Sequence, residues 1–247
     1  MQQRTYDIGF TTNFEHINKE LSDTQKFTIL YTHGFCSDPW GRKPEEVKKW
    51  CIKNNVPMYR YELAGHGSDV DRFEQTDINI YRAQILEIID KYIKGDIVVV
   101  GSSLGGWLSL IAAAQRKERI KGLIGLAAAP DFTIDHMKYA TSKQKKEMET
   151  YGKITYPGHN ITFTITKRLI DSGNDNLMLD KDILPVFCKM VLIQGMKDSS
   201  VDWHKALTIA QKAASTDVTV KLLKSANHRL NEDADIQEIV SALDTFL

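Results

Sequence analysis

Three residues in this sequence have the types and the chain order that nucleophilic acyl chemistry needs: Ser103, Asp198 and His228. Ser103 stands in Gly101-Ser102-Ser103-Leu104-Gly105, a G-x-S-x-G pattern directly after the β-branched run IVVV and directly before the helix-forming WLSLIAAAQ. Glycines two places before and two places after the serine let the chain turn sharply from strand to helix. That turn lifts the hydroxyl above a sheet edge, beside a helix N-terminus. Ser102 does not fit, because the same spacing would need glycines where Val100 and Leu104 stand. The bland alternative is a Gly/Ser turn that only joins two elements.

A serine hydroxyl becomes a competent nucleophile only when a base takes its proton, so a histidine with an acid behind it is required. Asp198 follows the apolar run MVLIQ in the turn GMKD, and His228 follows VTVKLLK in the turn SANHR. Each is thus expected at the carboxyl end of its own strand, on the edge that carries Ser103. His228 would accept the serine proton and Asp198 would fix the imidazole tautomer. Asp131, just after LIGLAAA, and Asp202 are rival acids. The histidines at 16, 136, 159 and 204 fall in the N-terminal stretch, an insertion or a helix start, where a solvated or satisfied ring is the expectation.

The oxyanion formed by attack needs backbone N–H donors already in place. Leu104, one past the nucleophile, offers one. The loop THGFCSD offers the second, with Gly34 permitting close approach and the amide of Phe35 donating. Cys36 beside that loop is a thiol with no histidine and acid of its own to activate it. His66, in AGHGSD, reads as loop filling. Trp107 and Trp203 are expected in the core or at the pocket's border.

These groups need a scaffold, and the apolar runs supply one. Strands are expected at 27–31 (FTILY), 58–61 (MYRY), 97–100 (IVVV), 123–127 (LIGLA), 190–193 (MVLI) and 218–223 (VTVKLL). Helical spacing lies between them: Tyr81, Ile85, Ile88, Ile89 and Tyr92 share one face, and Val47, Trp50 and Cys51 mark a shorter helix. Alternation of strand and helix implies an α/β fold with a mostly parallel central sheet flanked by helices. The rhythm breaks at about 131–184, read as a small cap insertion over the carboxyl edge within a single domain spanning 1–247. There ITFTIT would place Ile161, Phe163 and Ile165 on one face of a strand.

Composition narrows the classes. Lys plus Arg and Asp plus Glu are both 32, so no net field draws nucleic acid or anionic lipid. The run from 97 to 114 is long and uncharged, but GSSLGG in its middle argues for strand, turn and helix, so no stable membrane insertion is expected. Cys36, Cys51 and Cys188 form no CxxC pair and no metal set, and read as free thiols in a reducing compartment. With no apolar run in MQQRTYDIGF, a cytoplasmic location is the expectation. No metal or organic cofactor is implied.

VGSSLGGWLSLIAAA and the C-terminal third, QGMKDSSVDWHKALTIAQKAASTDVTVKLLKSANHRLNEDADIQEIV, resemble the α/β-hydrolase-domain family that includes a mitochondrial palmitoyl-protein thioesterase, also described as an acyl-glucuronide esterase. The resemblance runs over most of the chain and implies the α/β-hydrolase fold, S-depalmitoylase or carboxylesterase activity, and a nucleophile, acid and histidine at Ser103, Asp198 and His228. His33 stands where that family commonly has proline, and the turn after the acid reads VDW where VPW is usual. The substrate expected is a small molecule or an acylated protein; Met137, Tyr151, Ile161, Phe163 and Met178 of the insertion either line an apolar acyl pocket or form the insertion's own small core, the latter being the expectation for any one of them. Two other readings stay open: the same triad used on peptide, perester or carbon–carbon bonds, and a non-catalytic acyl-ligand binder. Oligomeric state is not legible.

Overall fold

A computed structural model describes residues 1–21, 25–156 and 163–247. In chain order its elements are β1 (Gln2–Thr5), β2 (Thr11–Ile17), β3 (Thr28–Thr32), α1 (Arg42–Lys53), β4 (Met58–Tyr61), α2 (Ile78–Glu87), β5 (Ile97–Ser102), α3 (Leu104–Gln115) and β6 (Ile120–Leu126). There follow α4 (Phe132–Tyr139), α5 (Ser142–Tyr151), β7 (Lys153–Tyr156), β8 (Phe163–Thr166), α6 (Lys167–Asn174), β9 (Lys189–Gly195), α7 (His204–Lys212), β10 (Val218–Leu223) and α8 (Asp233–Asp244).

Eight strands form one sheet in the order β1-β2-β4-β3-β5-β6-β9-β10. From β4 to β10 every pairing is parallel. The central strand β5 is buried at all six of its positions, as a β-branched run covered by helices on both faces must be. On one face α2 and α3 deliver Ile85, Trp107, Leu108 and Ile111 to the core. On the other α1 and α8 deliver Val47, Trp50, Ile236 and Leu243. The α/β architecture expected from alternation, a mostly parallel sheet flanked by helices, is therefore present.

The antiparallel strands β1 and β2 were not anticipated. The reason is physical: β2 (TTNFEHI) is mostly polar, and its inward positions include Thr12, which is wholly buried, so its apolar alternation is weak.

Between β6 and β9 lie α4, α5, the antiparallel pair β7–β8, and α6. Thr141 and Gln144 cap the start of α5 reciprocally, and Gly152 ends it at φ 69°. The strand expected through ITFTIT is found at Phe163–Thr166; Ile161 and Thr162 lie outside the described residues. Ring contacts of Phe132 and Phe163 with Phe35, at 5.9 and 6.5 Å, bring this segment down onto the loop after β3.

Candidate active site

Parallel register aligns the carboxyl ends of the inner strands. Thr32 pairs with Gly101, Ser102 with Leu126, Leu126 with Ile193, and Gly195 with Leu223. The turns that follow β3, β5, β9 and β10 therefore emerge on one edge, and they carry Phe35, Ser103, Asp198 and His228.

Ser103 sits between β5 and α3 at φ 54° and ψ −115°, a left-side conformation that side chains normally avoid. It is held there by its amide, which donates to Leu126 O at 2.9 Å, and by its carbonyl, which accepts from Gly106 N at 2.9 Å and Ala129 N at 3.1 Å. A Cβ at Gly105 would stand 2.1 Å from Thr32 O, so only glycine lets α3 start this close to β3. The pattern G-x-S-x-G thus marks a close approach as well as a turn.

His228 Nε2 lies 3.1 Å from Ser103 Oγ, and His228 Nδ1 lies 2.7 Å from Asp198 Oδ2. A carboxylate can only accept, so Nδ1 carries the proton and Nε2 presents its lone pair to the serine hydroxyl. The Asp198 side chain is 0% exposed and His228 28%. Burial pushes the Asp198 carboxyl up, but its hydrogen bond to His228, the histidine's charge and the amides of Val201 and Ser200 outweigh that and hold it below its usual value.

The first turn of α1 clasps the loop that carries His228. Arg42 donates to Asn231 O at 2.7 Å and pairs with Asp233, and Lys43 Nζ donates to Arg229 O. A cavity of about 400 Å³ opens over Ser103, lined by Gly34, Phe35, Lys43, Ser103, His228 and Arg229 among others.

The rival acids are engaged elsewhere. Asp131 accepts the amides of Met178 and Leu179 at 2.9 and 2.8 Å, tying the inserted segment to the end of β6. Asp202 accepts from the His204 amide at 3.0 Å and pairs with that residue's ring. Cys36 is also spoken for: its amide donates to His66 Nε2 at 3.1 Å, and burial pushes its thiol up to about 12, too high for a nucleophile at neutral pH. His136 bonds Tyr156, and His159 lies outside the described residues.

Sequence reasoning missed the two histidines that shape the loop after β3. His33 Nε2 accepts the Leu63 amide at 2.9 Å, so its Nδ1–H donates to Gly34 O at 2.8 Å. His66 likewise accepts from Cys36 and donates from Nδ1 to Ala64 O at 3.0 Å. Burial pushes His33 down to about 3, helped by His66, and pushes His66 down to about 4 against the Ala64 carbonyl and Glu62. Both rings are neutral, and they meet edge to face at 5.2 Å. Holding the Gly34 carbonyl from one side turns the N–H of the same trans peptide, that of Phe35, the other way. Among the described residues neither the Phe35 nor the Leu104 amide has a protein acceptor. A signal was available: both histidines follow strands that pair in parallel, β3 and β4, and sit beside glycines.

Trp107 is wholly buried, with its indole N–H on Asn176 O at 3.1 Å, so it is core; Trp203 borders a separate cavity of about 760 Å³ with Phe132. Of the expected pocket residues, Phe163 lines a cavity of about 750 Å³ beside Cys36 and Phe73, Met178 and Met137 pack into the core, and Tyr151 is 73% exposed. Ile161 lies outside the described residues.

This fold is that of an α/β-hydrolase. The sequence profile of the Alpha/beta hydrolase family matches residues 29–242, and the chain belongs to that family. Human mitochondrial palmitoyl-protein thioesterase ABHD10 is 33% identical over 222 residues, which span 89% of this chain and 72% of that protein. Rat monoglyceride lipase is 21% identical over 244 residues, covering 86% and 78% of the two chains. The solved structure of mouse alpha/beta hydrolase domain-containing protein 10 superimposes with a TM-score of 0.89 at 28% identity, covering 99% of this chain and 97% of that one.

One expectation is corrected by these likenesses. A cytoplasmic location is the expectation from unpaired thiols and a polar start, whereas the palmitoyl-protein thioesterases this chain resembles are mitochondrial by name. Reduced cysteines do not separate one reducing compartment from another.

Proposed function

We propose that this hydrolase cleaves carboxylic esters or thioesters through an acyl-enzyme, with Ser103 as nucleophile, His228 as general base and then acid, and Asp198 as the group that orients and stabilises the imidazolium. Ser103 Oγ attacks the acyl carbon while its proton passes to His228 Nε2. The amides of Phe35 and Leu104 receive the oxyanion. Collapse breaks the bond to the leaving group, which takes the proton from Nε2 as an alcohol or thiol. Water then attacks the acyl-serine by the same route, regenerating Ser103 and releasing the acid.

The observation that carries this reading is the continuous Asp198–His228–Ser103 chain at 2.7 and 3.1 Å. The names of the relatives, a palmitoyl-protein thioesterase and a monoglyceride lipase, support long-chain acyl substrates on a small molecule or a protein. Residues 131–184 serve in this reading as a cap on one catalytic domain, a role supported by the Phe132 and Phe163 contacts with Phe35.

The test is fluorophosphonate labelling of the wild type and Ser103→Ala, with turnover of short and long acyl esters and an acyl thioester. Labelling and turnover lost together in the variant support the assignment. Turnover that survives in Ser103→Ala overturns it.

A further inference from the structure

Gln194 is a buried polar side chain against Asp198 to which the mechanism above gives no role. It lies near the carboxyl end of β9 and is 1% exposed. Its Nε2 stands 2.8 Å from Asp198 Oδ2, the same oxygen that accepts His228 Nδ1–H, and 3.4 Å from Val201 O. Both neighbours are acceptors, so the amide orientation follows from chemistry: the NH2 group faces them, and a flipped amide would set oxygen against carboxylate. The consequence is that Gln194 Oε1 is buried with no partner among the described residues. A buried acceptor left unpaired is a cost that a side chain serving only as filler would avoid by being apolar.

With Gln194 in place the Asp198 carboxylate is saturated. Oδ1 takes the amides of Ser200 and Val201 at 2.8 and 2.9 Å, and Oδ2 takes Gln194 and His228. Four donors on two oxygens leave one carboxylate orientation and no lone pair free for a proton. We propose that Gln194 is a positioning residue for the reaction: its amide holds Asp198 Oδ2 where it can serve His228, and shares the carboxylate's charge so that the imidazole is not over-stabilised in its protonated form. The proposal rests on the Ser103–His228–Asp198 reading.

The experiment compares wild type, Ser103→Ala, Gln194→Met and Gln194→Glu in the full chain, measuring kcat and KM on p-nitrophenyl butyrate, the pH profile of kcat/KM, fluorophosphonate labelling rate and Tm. Gln194→Met keeps the length and removes the donor. It is expected to lower kcat and labelling rate about tenfold or more with KM nearly unchanged. Its acid limb should move up by about half a pH unit, because a carboxylate with one donor fewer favours the imidazolium. Gln194→Glu has the same shape, donates to Asp198 only while protonated, and repels it once ionised. Its activity relative to wild type should therefore fall as pH rises.

Wild-type kcat and an unshifted acid limb in Gln194→Met, at whatever Tm, overturn the proposal. If that variant does not fold, a flat ratio for Gln194→Glu overturns it in the same way and a falling ratio supports it. Turnover that survives in Ser103→Ala overturns the triad reading itself, a result separable from either of these.

Discussion

His33 donates from Nδ1 to the carbonyl oxygen of its own neighbour, Gly34, at 2.8 Å, because its other nitrogen is occupied by the Leu63 amide. One side chain thereby settles the plane of the peptide whose N–H belongs to Phe35. A Cβ at Gly34 would stand 3.2 Å from Ser103 Cβ, so that peptide lies directly against Ser103.

His33→Ala is accordingly expected to lower kcat by about ten- to a hundredfold, less than the loss of an oxyanion donor itself. Fluorophosphonate labelling at a temperature where the variant remains folded checks it. An unchanged labelling rate would remove His33 from any part in setting the site.

The same two histidines predict an acid-sensitive fold. Burial in the folded protein pushes His33 down to about 3 and His66 down to about 4, against an ordinary value of 6.5. Below 6.5 the unfolded chain binds protons that the folded chain refuses, so stability is complete above that pH and is lost as pH falls toward the folded values. The slope is up to about 1.4 kcal/mol per pH unit for each ring. Urea melts between pH 7.5 and 5 should show it, with a shallower slope in His66→Asn.

Gly105→Ala places a methyl against Thr32 O, 2.1 Å away before relaxation. The expected cost is about 1–3 kcal/mol or more. Kinetics of the fraction that folds should show lower kcat, because relief of the clash moves α3 and Ser103 with it.

The two acids should separate cleanly. Asp198→Asn is expected to lower kcat about 10⁴-fold, since the asparagine no longer secures the Nδ1–H tautomer. Asp131→Ala leaves the amides of Met178 and Leu179 without their acceptor and should cost about 1–3 kcal/mol in stability with kcat retained. Denaturant titration and steady-state kinetics on both variants distinguish the roles.

Cys36→Ala should keep kcat within about twofold, and iodoacetamide at pH 7.5 should leave Cys36 unmodified in the native protein, because its thiol stays protonated. Rapid alkylation would show that the loop opens far more than its hydrogen bonds suggest.

Much of this was legible before any coordinates. Gly101-Ser102-Ser103-Leu104-Gly105 between a β-branched run and an apolar helix reads as a sharp strand-to-helix turn, catalytic or merely connecting, and strand order put Asp198 and His228 on the same edge. The parallel sheet was legible because strand-forming runs alternate with stretches of helical spacing. The edge hairpin β1–β2 was hidden, because its inward residues are partly polar and periodicity needs contrast. Choosing Asp198 over Asp131 came from position alone; the three-dimensional contacts are what show Asp131 already spent on two amides.

The linear sequence by itself determined the family and the parallel scaffold and put forward the three groups proposed for the chemistry, since each of these is encoded in local residue types and their order. Only the tertiary structure decided which nitrogen of His33 and His66 carries a proton, that Gln194 bears on Asp198, and that the first turn of α1 clasps the histidine loop. Those relationships, whether across four residues from Gln194 to Asp198 or across the chain from Arg42 to Asn231, run through hydrogen bonds whose direction depends on what else is buried beside them, and no pattern along the chain records that.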